Sequence, residues 1–542
     1  MSSRSFDAVQ GVRADAKAET TAVVPERIPL LSRVAPVERT QSPISNLVPL
    51  LATASLAVHF IGRNRYGFFR DELYYIACGN HLAFGYVDQP PFVALVARLA
   101  SSLLGTSLSC FRFLPAVAVA TLVLITGWLT RELGGGRFAQ ALASFVVAFA
   151  PIYLAFGSFL SMNAFEPLFC TACAYILVRI LKGGDERLWL VYGVVAGVAL
   201  ENKHTMLMFG FAAIVGLLVA GDGKLLRSRW FWCGLLVAFL IFLPNLIWEV
   251  QHNWPQFEVV RNCQRLKNTP IGALRFLGEQ VLFFNPLTAP VLAAGLGWLL
   301  FSKHEKRFRS LGWAYLIVLA VVFMLHGKTY YPAPYYATLF AAGAVAVEAL
   351  LQKEPLRRAY VSALMVSVLV MLPFSVPIFS LDRLLRYQNL IALQNVVRTE
   401  HDSAGEVHQL YADMMGWDSM VATVADVYYS LPPSDRQRCA ILVDNYGEAG
   451  AIDLLGEKYG LPKAISPHNN YYLWGTKGNS GEVVILFGPN AEQEKTLFAS
   501  VEQVATISDT HGAISERQLP VYVCRLPQAP LAQLWPSLRH YE

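Results

Sequence analysis

Residues 188–221 read LWLVYGVVAGVALENKHTMLMFGFAAIVGLLVAG, two apolar runs joined by the polar quartet Glu201-Asn202-Lys203-His204. Taken as one element the stretch is a single membrane span. Taken as two it is a hairpin, and every later loop changes side. We read two short helices with a polar turn, and the same parity question arises once more upstream. Residues 91–106 are apolar but short and interrupted by Arg98, so we assign them to an interfacial helix.

With those two readings the apolar runs number about eleven. They fall near 46–62, 113–130, 138–157, 167–181, 188–201, 205–221, 230–248, 286–302, 311–325, 335–351 and 359–379. The charges test the assignment. Alternate loops hold Arg131 and Arg137; Lys182 and Arg187; Lys224, Arg227 and Arg229; Lys303, Lys306, Arg307 and Arg309; and Lys353, Arg357 and Arg358. Short basic loops face the cytoplasm, and changing either reading alone would move the later ones outside. The expected topology has its N-terminus in the cytoplasm and its C-terminus beyond the membrane.

Composition agrees. The chain has 542 residues, 54% hydrophobic and 15% charged, with a mean hydropathy of +0.40, whereas a soluble protein carries roughly 25% charged residues. The formal net charge of +5 is modest, and it gives no nucleic-acid footprint. Residues 1–45 are polar, with scattered arginines and no apolar signal region, and are expected to form a disordered cytoplasmic tail. Residues 46–380 form the membrane domain.

Residues 381–542 return to soluble composition, and Cys439–Val443, Val483–Phe487 and Pro520–Cys524 read as short buried strands. Helical patterns at 418–430 and 447–459 lie among them, so a small extracytoplasmic α/β domain is expected. Cys439 and Cys524 fall on two of these strands, and the sequence leaves open whether they form a disulfide. Cys170 and Cys173 have CxxC spacing inside a span and are read as packing.

On this topology the outer face gathers polar residues. The first outer loop carries Arg70-Asp71-Glu72-Leu73-Tyr74-Tyr75, followed by Tyr86-Val87-Asp88-Gln89-Pro90-Pro91. Glu166-Pro167 sits at the mouth of a later span as the lone acid between Arg137 and Arg179. A carboxylate deep in a bilayer costs about 2.5–3.5 kcal/mol, so such a residue ordinarily faces a cavity or a partner. A helix-capping Glu before Pro167 is the competing explanation. Asp71 and Glu72 taken alone also suit a solvated helix start; their company on one face favours a site.

Cations on the same face are Lys203, Arg261, Arg265 and Lys328, an arrangement suited to an anionic ligand. Gly327-Lys328-Thr329 resembles the end of a P-loop, but the upstream glycine is missing, and nucleotide binding is rejected. Tyr330 and Tyr331 are placed to stack on a sugar or to join an interfacial aromatic belt.

The ordered set of Asp71-Glu72, Tyr86-Val87-Asp88-Gln89-Pro90-Pro91 and Glu166-Pro167 resembles bacterial glycosyltransferase family 39. This group comprises GT-C-fold relatives of dolichyl-phosphate-mannose–protein mannosyltransferases and of the lipid A aminoarabinose transferase. Asp444-Asn445-Tyr446-Gly447-Glu448 in the tail is similar to a bacterial branch of it. The resemblance implies a polyprenyl-phosphate-linked sugar donor in a bacterial inner membrane. It further implies an envelope lipid, polysaccharide or protein acceptor, and transfer with inversion.

The resemblance makes Asp71 the leading base, with Glu72 and Glu166 as positioning or alternative acids. Lys203, Arg265 and Lys328 become phosphate contacts, with Asp88, Gln89, Tyr330 and Tyr331 in the substrate site. Where the aminoarabinose enzymes carry Glu-Lys-Pro-Pro, this chain has Asp88-Gln89-Pro90-Pro91, so one phosphate contact is lost or moved. The histidine expected near 259–265 is missing, and no metal site or other cofactor is assigned. A secondary transporter is the alternative reading; clustering of the ionisable residues at one face, without a visible repeat, speaks against it.

Overall fold

The computed structural model describes residues 42–267, 271–390, 409–508 and 518–542. Most of the expected N-terminal tail therefore lies outside the described residues. Each apolar run named above lies on a helix, but the helices are not all of spanning length. Among the described residues six are long and apolar enough to cross a membrane, and up to eight if each bent pair counts as one span. The run 138–157 is bent by 59° between Arg137–Ala148 and Pro151–Gly157, where Pro151 opens the second helix and its missing N–H suits the new start. The run 286–302 continues a helix at Ala273–Leu282, inside the expected outer loop, at an angle of 95°.

Leu188–Asn202 and Met206–Ala220 are separate helices divided at Lys203. At 15 residues each they are about 22 Å long, short of a hydrocarbon core of roughly 30 Å. Phe92–Leu103 is shorter still and buries Val93, Val96, Ala97 and Ala100 while Leu95, Leu99 and Leu103 stay exposed, the two-faced pattern expected of it.

Tyr336–Leu350 is the central helix of the bundle, buried along most of its length. Arg229–Gln251 and Glu354–Ser375 are peripheral, and they expose Trp232, Leu236, Phe239, Val366 and Leu369. Apolar side chains on the outside are ordinary when the surrounding solvent is lipid. Leu188–Asn202 and Arg229–Gln251 approach closely at Gly193 and Gly234, where a Cβ on either would stand 2.1 Å from a backbone carbonyl oxygen of the other helix.

The loops sort into two ends of the bundle. The basic ones touch one another. Lys182 pairs with Glu132 at 2.5 Å, Ser228 donates to Glu186, Gly136 N–H donates to Glu348, and Arg357 donates to the Glu348 carbonyl. The opposite end gathers the loops around 69–91, 158–163, 203–205, 245–262 and 327–333 together with the C-terminal segment.

That segment holds a four-stranded sheet in the order β1-β2-β4-β3, with β1 Cys439–Val443, β2 Val483–Phe487, β3 Phe498–Ser508 and β4 Gln518–Pro527. β1 and β2 are parallel, joined through the helix Tyr446–Leu455; β4 runs antiparallel to both β2 and β3. One sheet face packs Ile441, Val443, Ile485 and Val523 with Val421 and Ala449, in a core that continues into Leu73 and Tyr74 of the Arg70–Asn80 helix. The other packs Leu442, Leu486 and Tyr522 on Leu531 and Trp535.

Cys439 and Cys524 are both free. Cys439 belongs to the first face and Cys524 to the second, with β2 running between their strands. Strands are about 4.8 Å apart, so a bond between them is excluded in this fold.

Candidate active site at the soluble end of the bundle

The helix Arg70–Asn80 begins with Glu72 reaching back to the Phe69 N–H at 2.8 Å, one half of a capping box. Glu72 is 0% exposed. Its Oε1 accepts from Leu160 N–H at 2.8 Å and from Arg112 Nε at 3.1 Å, and its Oε2 accepts from Arg112 Nη2 at 2.8 Å. The Arg112 guanidinium also donates to the carbonyls of Arg63 and Gly67. This carboxylate is saturated, and it fastens together the ends of several elements. Expected as a positioning or alternative acid, Glu72 is sealed from solvent with both oxygens engaged.

Asp71, one residue earlier, is half-buried. Its Oδ1 accepts a hydrogen bond from Tyr446 Oη at 3.0 Å, which reaches it from the C-terminal domain. Asp88 Oδ1 accepts from Tyr74 Oη at 2.8 Å, and the Tyr74 ring stacks on Tyr446 at 4.6 Å. Tyr75 is buried beside both acids; burial first, then the negative charges of Asp71 and Asp88, hold its phenol well above the usual range. Asp71, Asp88, Tyr74, Tyr75 and Tyr446 thus make one group, closed on the domain side by Asn470, whose Oδ1 takes the Val87 N–H at 2.6 Å. Gln89 departs from expectation. It is 0% exposed and its Nε2 points to Cys78 Sγ at 3.6 Å, so a soluble ligand does not reach it here.

The second group surrounds Glu166. The helix Met162–Leu181 starts several residues before the apolar run, so Glu166 and Pro167 lie within it and not ahead of it. Glu166 is 3% exposed; Oε2 pairs with Lys203 Nζ at 3.0 Å and Oε1 accepts from Thr205. Lys203 Nζ donates also to Asn163 Oδ1 at 2.7 Å and lies 4.8 Å from the Tyr331 ring centroid and 5.9 Å from that of Tyr330. The polar turn that breaks residues 188–221 thus supplies the cation that neutralises the membrane acid.

Lys328 is half-buried on the turn that also supplies Tyr330 and Tyr331. Tyr330 acts electrostatically on Tyr75, so the two groups are neighbours. Arg265 stands exposed on the π-helical turn Cys263–Lys267 and takes no part in these hydrogen bonds. His252 stacks on Trp248 at 4.0 Å and its Nδ1 meets the Trp248 carbonyl, with no place in either group.

Arg112, Asn470 and Thr205 were not singled out by sequence, and Tyr446 and Asn163 were given no role in the site. Arg112 carried a signal: a cation at the outer mouth of an apolar run, where the charge bias disfavours one. The others are polar residues whose importance comes from a partner distant in sequence.

Residues 88–248 match the family model described as dolichyl-phosphate-mannose-protein mannosyltransferase. Over these residues the chain is similar to that family. Its fold is similar to that of ArnT from Cupriavidus metallidurans in the apo state, with a TM-score of 0.58 at 14% identity over 88% of this chain and 97% of that one. The same protein bound to undecaprenyl phosphate gives a TM-score of 0.57 with the same identity and coverage. No curated protein sequence matches the chain. The expected resemblance, and with it a GT-C-like multi-pass helical fold, is borne out.

Proposed function

We propose that this membrane glycosyltransferase moves a sugar from a polyprenyl phosphate to an acceptor hydroxyl of an envelope lipid, polysaccharide or protein, on the extracytoplasmic side of a bacterial inner membrane. The observation that carries the reading is the position of Asp71. It is a half-buried carboxylate at a helix start, oriented by Tyr446 and placed beside Asp88. The Lys203–Glu166 pair stands on the same end of the bundle. Segregation of the basic loops to the other end supports a cytoplasmic assignment for that end. About eleven spans, five of them short or bent, remain part of this proposal.

In this reading Asp71 accepts the proton of the acceptor hydroxyl as its oxygen attacks the anomeric carbon. The bond from that carbon to the phosphate oxygen breaks, and the electron pair leaves with the phosphate. Such a leaving group departs without protonation, and cations near it stabilise its charge. Lys203 and Lys328 are the nearest candidates by position; Arg265, exposed on its own turn, suits the approach of the lipid phosphate. Tyr330 and Tyr331 offer ring faces to the sugar. Glu72 and Gln89 hold the loop that presents Asp71 and Asp88. Attack opposite the phosphate inverts the anomeric centre.

Comparison of envelope glycolipids, polysaccharides and glycoproteins by mass spectrometry tests the reading. Cells carrying Asp71→Asn should lose one sugar from one acceptor, with the rate lowered at least 100-fold in membranes. Unchanged products with normally inserted protein would remove Asp71 as the base. Solute flux in vesicles without sugar transfer would favour the transporter.

A further inference from the structure

The two parallel strands β1 and β2 end side by side, at Asp444 and at Gly488-Pro489-Asn490. In open α/β sheets, ligands settle in the crevice outside such carboxyl ends. Here the crevice is a cleft of about 400 Å³ lined by Asp444, Asn490, Glu494, His540, Glu542 and, from the membrane domain, Asn262. Asn262 closes it by donating to the Tyr541 carbonyl at 2.7 Å.

His540 and Glu542 of this lining, with the buried His468 stacked on His540, each offer a ligand atom, all within 4.8 Å of one another. Asp444 Oδ1 lies 3.9 Å from His540 Nε2. His540 Nδ1 faces the Leu538 carbonyl at 3.1 Å. A proton held on that nitrogen leaves the Nε2 lone pair directed at the cluster, the usual arrangement around a metal-binding imidazole.

An independent feature points the same way. Glu494 lines the cleft and is only 7% exposed, and its Oε2 has no hydrogen-bond partner. A buried carboxylate oxygen without a donor is costly, and a cation in the cleft would remove that cost. We propose that the C-terminal domain binds one divalent transition-metal ion of the zinc class. His468, His540 and Glu542 are its ligands, Asp444 is the fourth donor, and Glu494 adds its charge from the wall. Two imidazoles with carboxylates suit zinc, which takes four ligands. The site adjoins the Asp71 group, since His468 packs against the Tyr446 ring at 4.7 Å, but it does not depend on the transfer reading.

Untagged full-length protein in detergent, stripped with a chelator and dialysed against zinc alone, tests this. One zinc per chain is expected, retained after gel filtration, with a rise in melting temperature. His540→Gln and Asp444→Asn should each weaken binding at least 10-fold, and their melting in chelator should remain cooperative. Because Asp444 is buried, the more exposed His540 variant decides if Asp444→Asn fails to fold. Absence of stoichiometric zinc on the wild type, or zinc bound equally well by His540→Gln, overturns the site.

Discussion

At the scale of single residues, the two acids of the first loop show how adjacent carboxylates acquire different work. Asp71 and Glu72 are neighbours in sequence, but one helical step turns Glu72 inward onto Arg112 and leaves Asp71 half-buried against Tyr446. Sequence singled out the pair but not their different surroundings, because those depend on Arg112 and Leu160, both far along the chain. Arg112→Met should strand a buried carboxylate and destabilise the protein by about 3–5 kcal/mol. Joint replacement of Glu72 and Arg112 by Met should recover a good part of that loss, because no uncompensated charge remains. Thermal melting of both variants in detergent measures the difference. A double variant no more stable than Arg112→Met would mean that the hydrogen bonds, and not the charge, hold the loops.

At the scale of elements, the polar break at 201–204 was legible because four polar residues interrupt an apolar run, and its meaning became clear only through Lys203 and Glu166. Strands β1, β2 and β4 were legible as apolar runs bounded by polar residues. β3 was not: it is an outer strand of the sheet, paired on one side alone, and most of its residues are exposed. Its sequence therefore lacks both the apolar run and a clean alternation. The bends at Pro151 and near Pro286 were likewise hidden, since hydropathy records composition and not direction. Helix contact is better tied to a single position. Gly234→Leu should separate Leu188–Asn202 from Arg229–Gln251, because its Cβ would meet the Trp189 carbonyl. The expected result is loss of folded protein or a melting temperature lowered by several degrees, since close helix approach in lipid relies on small residues. An unchanged melting curve would show that the two helices can shift apart without penalty.

At the scale of the molecule, the membrane body and the C-terminal domain share a core and close the cleft together, so conditions that loosen one are felt by the other. Burial, reinforced by Asp444, raises the Glu494 carboxyl from the ordinary 4.5 to about 8. The folded state then favours the protonated form. Its contribution to stability is complete below pH ~4.5 and is lost as pH climbs through about 8. In chelator, the wild-type melting temperature should fall between pH 5 and 9, and Glu494→Gln should flatten that decline. An identical slope in the variant would place the titration elsewhere. The Glu72 clamp has a consequence for biogenesis. The ribosome delivers Glu72 and Arg112 before Leu160 exists, and chains assemble from the N-terminal side as they are made. The two charges can therefore cancel each other before the third partner of Glu72 is synthesised.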